Sequence, residues 1–107
     1  MNNLLYVVYK DINGLTETGV LYTDINDFIQ DTWNPEDKAR VEYTMNFVIK
    51  GKTYRERKAA LEEIAKNFQH HDVGGLYWSD EILLQNYFEE NAKRYGLIEE
   101  FRENGII

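Results

Sequence analysis

The chain reads as an α+β domain: a three-stranded, largely antiparallel sheet with three to four helices packed mainly on one face. Two short runs with strand periodicity sit around an Asn-Gly turn near the start, a third strand follows a brief helical segment, and the last half is helical in period throughout. The order β-β-α-β-α-α-α lacks the alternation that a parallel sheet requires. At 107 residues the sequence suits one domain, 1–107, with a single core.

Leu4 to Tyr9, LLYVVY, is apolar on both faces, as expected of an inner strand. Asp11-Ile12-Asn13-Gly14 then predicts a hairpin, because Asn and Gly tolerate the positive φ of a type I′ turn. The return strand covers Leu15 to Tyr22, with Gly19 marking a bulge or an edge. Thr23 or Asp24 can cap a short helix carrying Ile25, Phe28 and Ile29, which Trp33-Asn34-Pro35 ends. Residues 40 to 50 alternate cleanly and predict a strand with Val41, Tyr43, Met45, Phe47 and Ile49 on one face.

Gly51 stops that strand, and Thr53 with Glu56 forms a capping box at the start of a helix whose apolar stripe is Tyr54, Leu61, Ile64, Ala65 and Phe68. A turn-rich link with Gly74-Gly75 leads to a helix capped by Ser79, with Leu84, Tyr87, Phe88 and Tyr95 on its inner face. Gly96 ends it, and a last short helix with Leu97, Ile98 and Phe101 closes at Gly105.

Composition excludes several classes. The apolar fraction of 43% rules against disorder, and the absence of cysteine removes disulfides and thiolate metal sites, pointing to a cytoplasmic protein. No apolar run approaches the roughly 18 residues of a membrane span. A net charge of −7 argues against generic binding along phosphate backbones. That charge is in blocks. Residues 11–37 hold seven acids and no base, residues 50–66 six bases against three acids, and residues 72–107 eight acids against three bases.

Catalytic and ligand motifs are incomplete. Lys50-Gly51-Lys52-Thr53 ends like a phosphate loop, but the glycine needed five residues before Gly51 is Asn46, so a strand-to-helix turn is expected. His70-His71-Asp72 are adjacent rather than three or four apart, the spacing that brings helix-borne ligands onto one face, so no metal or other cofactor is expected. There is no cysteine nucleophile, and the only serine, Ser79, serves as a cap. Adjacent glutamates such as Glu62-Glu63 diverge by about 100° on a helix and read as solvated faces. The expectation is a protein that is not an enzyme.

Three groups remain as candidate partner-binding residues. Asp24, Asp27, Asp31, Glu36 and Asp37 form an acidic series that no base interrupts. Lys52, Arg55, Arg57 and Lys58 form a basic patch, suited either to nucleic acid or to a solubilising helix face. Trp33, Tyr77 and Trp78 fall in expected loops, where aromatics anchor interfaces or plug the edge of a core.

TYRERKAALEEIAKNF and LYWSDEILLQNYFEENAKRYGLIEEFRENGI, within residues 50–107, resemble small proteins carried by conjugative elements and phages of Gram-positive bacteria. The resemblance implies cargo of the anti-CRISPR or anti-restriction type and transfers no site residue. The resulting expectation is an acidic inhibitor in the bacterial cytoplasm that binds a host defence nuclease, its carboxylates standing in for DNA phosphates in a positive channel. The alternatives are a nucleic-acid-binding or regulatory module using residues 50–66, and a small dimerising interaction domain. The chain itself is expected as a monomer or homodimer.

Overall fold

The computed structural model describes residues 4–11, 13–33 and 40–107, the side chains of residues 31–33 excepted. Seven elements follow in the expected order: β1 (Leu5–Lys10), β2 (Glu17–Tyr22), α1 (Ile25–Trp33), β3 (Arg40–Asn46), α2 (Tyr54–His71), α3 (Trp78–Tyr95) and α4 (Ile98–Glu103). The fold is α+β, with one three-stranded sheet in the order β2-β1-β3 and antiparallel on both sides of β1. The residues gather into two compact units: a sheet unit, Met1–Val48 with His71–Leu76, and a helical unit, Ile49–His70 with Tyr77–Ile107.

In the sheet unit, β1 is the central strand, and Tyr6, Val7, Val8 and Tyr9 are all buried, as a doubly apolar run requires. Leu5, Val7 and Tyr9 share one face with Val20 and Tyr22 across the β1–β2 register. On this face the Tyr9 and Tyr22 hydroxyls lie 2.7 Å apart, so two buried polar tips satisfy each other. Phe28 of α1 closes the cluster, its ring edge-on to Tyr22 at 5.6 Å. Asp24 is the cap of α1, its Oδ1 accepting from Asn26 N–H at 2.9 Å. Of the three apolar residues that this helix carries at helical spacing, Phe28 packs on the cluster, while Ile25 and Ile29 are exposed.

The hairpin between β1 and β2 is present, but its turn differs from the type I′ expectation. Gly14 alone has positive φ, at 69°, while Asn13 does not. The chain instead makes a longer loop from Asp11 to Thr16, which pair through Asp11 N–H to Thr16 O, with Gly14 N–H bonded to Asp11 O. The Asp11 carboxylate organises it, accepting from Leu15 N–H at 2.9 Å and Thr16 N–H at 3.3 Å. A side chain that can bond its own following backbone outcompetes the tighter turn. Leu15 is therefore in the loop, exposed, and β2 starts at Glu17.

Gly19 lies in an edge strand without a bulge. Its purpose is room: a Cβ there would fall 2.9 Å from Tyr6 Cε1 and closer still to the hydroxyl. The bulge sits in β3 instead. Val8 faces Tyr43 but Tyr9 faces Val41, so Glu42 is the extra residue. The shift moves Val41 onto the opposite face from Tyr43 and Met45, which overturns the single stripe expected for Val41, Tyr43 and Met45. The regular strand also ends at Asn46, earlier than the expected residue 50.

Tyr6 is fully buried and ties the link after α2 to the sheet: its hydroxyl donates to His71 O and accepts from Val73 N–H, both at 3.3 Å. The His71 ring stacks on Tyr43, centroids 3.6 Å apart and planes 4° from parallel. Burial, the dominant influence, raises the Tyr6 pKa above its usual value, so this hydroxyl stays protonated.

The helical unit begins with the expected cap. Glu56 N–H bonds Thr53 Oγ1 at 3.1 Å, and Glu56 Oε2 accepts from Lys52 N–H at 2.8 Å, one residue beyond the usual reciprocal partner. Gly51 has φ of 147°, and a Cβ on it would meet Glu56 Cβ at 2.9 Å and Arg57 N at 3.0 Å. Leu61, Ile64 and Ala65 are buried, with the Phe68 ring on Phe88 at 5.9 Å, but Tyr54, expected in the stripe, is largely exposed.

On α3 the inner face is Leu84, Tyr87, Phe88 and Tyr95, joined by Asn91 and Ala92. The buried Asn91 amide donates to Tyr87 O at 2.8 Å, one turn back. This helix starts earlier than expected, so Ser79 is its second residue and not its cap. The Tyr77 carbonyl accepts Asp80 N–H in a tighter turn and Glu81 N–H as the first regular bond of the helix, and no side chain caps it. Gly96 ends α3 in the left-handed region, where Gly96 and Leu97 N–H converge on Ala92 O. Phe101 of α4 is buried edge-on to Phe88, and Gln69 Nε2 donates to Asn104 O at 2.6 Å, joining the end of α4 to the last turn of α2.

Candidate partner-binding surfaces

Of the acidic series, Asp24 and Asp27 are exposed at the start of α1, and Asp31 is in the same helix with its side chain outside the described residues. Glu36 and Asp37 lie outside the described residues altogether. The two visible carboxylates also have local work. Asp24 caps the helix, and Asp27 stands in its first turn, where the positive end of the helix dipole favours an anion. Ile25 adds an apolar surface beside them, 59% exposed.

The division into units sharpens the charge pattern. The sheet unit carries nine acids against three bases, whereas the helical unit carries ten against nine. Most of the excess negative charge of the protein thus belongs to the sheet unit.

The basic patch lies at the start of α2. Lys52 and Arg55 are exposed, while Arg57 and Lys58 are half-buried. The Arg57 guanidinium carbon is 6.0 Å from the centre of the Tyr95 ring, at the limit of a cation–π contact. Not all four bases therefore project outward. The backbone donors of Lys52 and Glu56 are taken by the cap, which leaves fewer amides for an anion at the Gly-Lys-Thr turn.

The aromatic group is corrected in its placement. Trp33 is the last residue of α1 and Trp78 the first of α3, so neither is in a loop; the Trp33 side chain lies outside the described residues. Tyr77 and Trp78 are exposed at 79% and 77%. Ile82, one turn beyond Trp78 on the same side of the helix, is also exposed and extends the patch. An i, i+4 pair opposite Leu84 and Phe88 was the signal in the sequence that could have found it.

A groove of about 430 Å³ runs between α2 and α4, with Ala65 and Phe101 in its floor and Glu62, Glu63, Lys66 and Glu100 around it. It brings together three carboxylates and one ammonium, with no serine or threonine among its lining residues. His71, half of the histidine pair, has its ring engaged by Tyr43. Among the described residues no three His, Cys, Asp or Glu side chains converge as metal ligands, and no helix is long and apolar enough to cross a membrane. Tyr87 has its pKa raised by burial, but it is a core residue of α3. No family model, curated protein or solved structure matches the chain.

Proposed function

We propose that this protein acts by binding another protein and carries out no chemistry of its own, its target being a nucleic-acid-targeting defence enzyme of a bacterial host, of the CRISPR or restriction kind. The observation that carries the reading is the concentration of acids in the sheet unit, nine against three bases. Enzymes that hold nucleic acid do so in positive channels, and a folded surface dense in carboxylates competes for them with electrostatically accelerated association. Asp24 and Asp27, with the exposed Ile25 beside them, combine negative charge and apolar area, the chemistry that a basic channel with an apolar wall accepts. The resemblance of residues 50–107 to mobile-element proteins supports the same target class.

The test is inhibition of DNA cleavage across a panel of such nucleases. Inhibition at near-stoichiometric amounts, relieved by Asp24→Lys with Asp27→Lys, is the expected result; full activity of every enzyme in the panel sinks the reading. A second reading rests on the bases at the start of α2, where Lys52 and Arg55 are exposed: direct binding of DNA or RNA. It predicts a mobility shift that weakens steeply with salt and disappears in Lys52→Glu, Arg55→Glu.

A further inference from the structure

The two long helices of the helical unit form an antiparallel hairpin, because Tyr54 at the start of α2 meets Tyr95 at the end of α3, ring centroids 5.5 Å apart, while Phe68 meets Phe88 further along. Each helix has 18 residues, about 27 Å, and the two ring contacts are 14 residues apart on α2 but seven on α3, so the helices cross at an angle and the ends of the pair are well separated. Charge is sorted between them. One end carries Lys50, Lys52, Arg55 and Lys58 from the α2 side, with Glu56 among them, and Lys93 and Arg94 from the last turn of α3, Lys93 lying 3.6 Å from Glu89, so bases outnumber acids there. At the other end Asp80 and Glu81 open α3, and no Lys or Arg occurs from residue 67 to residue 92.

The acidic end is also where Tyr77, Trp78 and Ile82 stand exposed. Exposed aromatics of this kind anchor interfaces, and their surroundings choose the partner. Stacking on nucleic-acid bases would need a cation nearby to hold phosphate, and an anionic membrane surface would meet only repulsion from Asp80 and Glu81. The chemistry that fits is a cationic protein surface with apolar area, and the opposite end of the same hairpin supplies it: Lys52, Arg55 and Lys58 lie within four residues of Tyr54 in the chain, and Tyr54 itself is 57% exposed.

We propose that this hairpin pairs with a second copy of itself across a two-fold axis, the acidic, aromatic end of each copy seated on the basic end of the other. A two-fold axis through the middle of an antiparallel hairpin exchanges its ends, so one such pairing makes both contacts at once and closes without leaving a free end. Opposite charges set the register, and the Trp78 and Ile82 side chains lie against Tyr54 and the alkyl stems of the lysines. This pairing does not rest on the proposed nuclease target.

Sedimentation equilibrium of the full chain from 1 to about 200 µM tests it, at about 50 mM and 500 mM salt. The expected result is a monomer–dimer equilibrium whose dissociation constant rises about tenfold or more at the higher salt. Trp78→Ala raises it further without changing the circular dichroism spectrum. The decisive arm uses two charge reversals, D80K/E81K and K52E/R55E. Each variant alone is monomeric, because like ends would meet, and an equimolar mixture forms a heterodimer. A monomer throughout, a dimer indifferent to these reversals, growth beyond the dimer, or a mixture of folded variants that stays monomeric overturns the proposal.

Discussion

Replacing Gly19 by Ala should destabilise the protein even though the substitution ordinarily favours a strand. The new Cβ would fall 2.9 Å from Tyr6 Cε1 and 3.0 Å from Cζ, and the hydroxyl is nearer still. Tyr6 is fully buried and its hydroxyl holds both His71 O and Val73 N–H, so the ring cannot swing aside without loosening two hydrogen bonds. Overpacking costs about 1–3 kcal/mol, and weakening these bonds adds up to about 1 kcal/mol each. Restricting the unfolded chain returns about 0.4–1 kcal/mol. Taken at the middle of these ranges the net loss is about 2 kcal/mol, a fall of roughly 1 M in the urea midpoint. Equilibrium unfolding followed by far-ultraviolet circular dichroism measures it. Combined with Tyr6→Phe, which removes the nearest atom, the loss should be smaller than the sum of the two single effects by at least about 0.5 kcal/mol. A midpoint unchanged or raised by Gly19→Ala would refute the close-approach argument, since entropy alone predicts a gain.

Four further outcomes follow from the same geometry. Phe101→Ala, emptying a buried ring site against Phe88, should cost about 3–5 kcal/mol in the same unfolding assay. Thr53→Ala should cost about 1 kcal/mol through loss of the bond to Glu56 N–H, with amide exchange rising in the first turn of α2. Trp78→Ala, at an exposed position, should leave monomer stability within about 0.5 kcal/mol of the parent when measured at low protein concentration. Asp11 titrates below its ordinary 3.8, chiefly because its carboxylate accepts from Leu15 N–H. Its contribution is therefore fully present above the unfolded value and disappears as the pH falls through the lower, folded one. Stability measured against pH should fall less steeply below about 3.8 in Asp11→Asn than in the parent.

The element order was legible because each boundary is marked by residues with a local mechanism. Thr53 with Glu56 starts α2, Asp24 starts α1, and Gly96 and Gly105 end α3 and α4. These signals act within a few residues and need no knowledge of the tertiary fold. The misreadings share the opposite property. The bulge at Glu42 depends on how β3 meets β1, which no alternation within β3 encodes. Ile25, Phe28 and Ile29 form a proper stripe, but the approach of α1 to the sheet lets Phe28 alone reach Tyr22. Ser79 was the better side chain for a cap, yet the chain turned into helix one residue after Tyr77, whose carbonyl suffices.

For the candidate surfaces, the acidic and basic blocks were visible as runs, and their division between two units was not. Lys93 and Arg94 are some forty residues from Lys52 and Arg55 and share their end of the hairpin because α2 and α3 are antiparallel. The exposure of Tyr77 and Trp78 was also out of reach of composition, because an aromatic residue at a helix start can turn equally to core or water.

The odd residue in β3 bears on how the chain tolerates changes of length. Glu42 is exposed and has no counterpart opposite it in β1, whereas Val41 and Tyr43 keep theirs in Tyr9 and Val8. Removing Glu42 would shorten the strand while leaving those neighbours opposite the same residues, so the ladder would run straight and lose the local twist that a bulge imposes. A deletion at Thr44 or Met45 would instead move the residues between it and the bulge to the other face. The bulge is thus where β3 can absorb the loss of a residue without exchanging its inside for its outside.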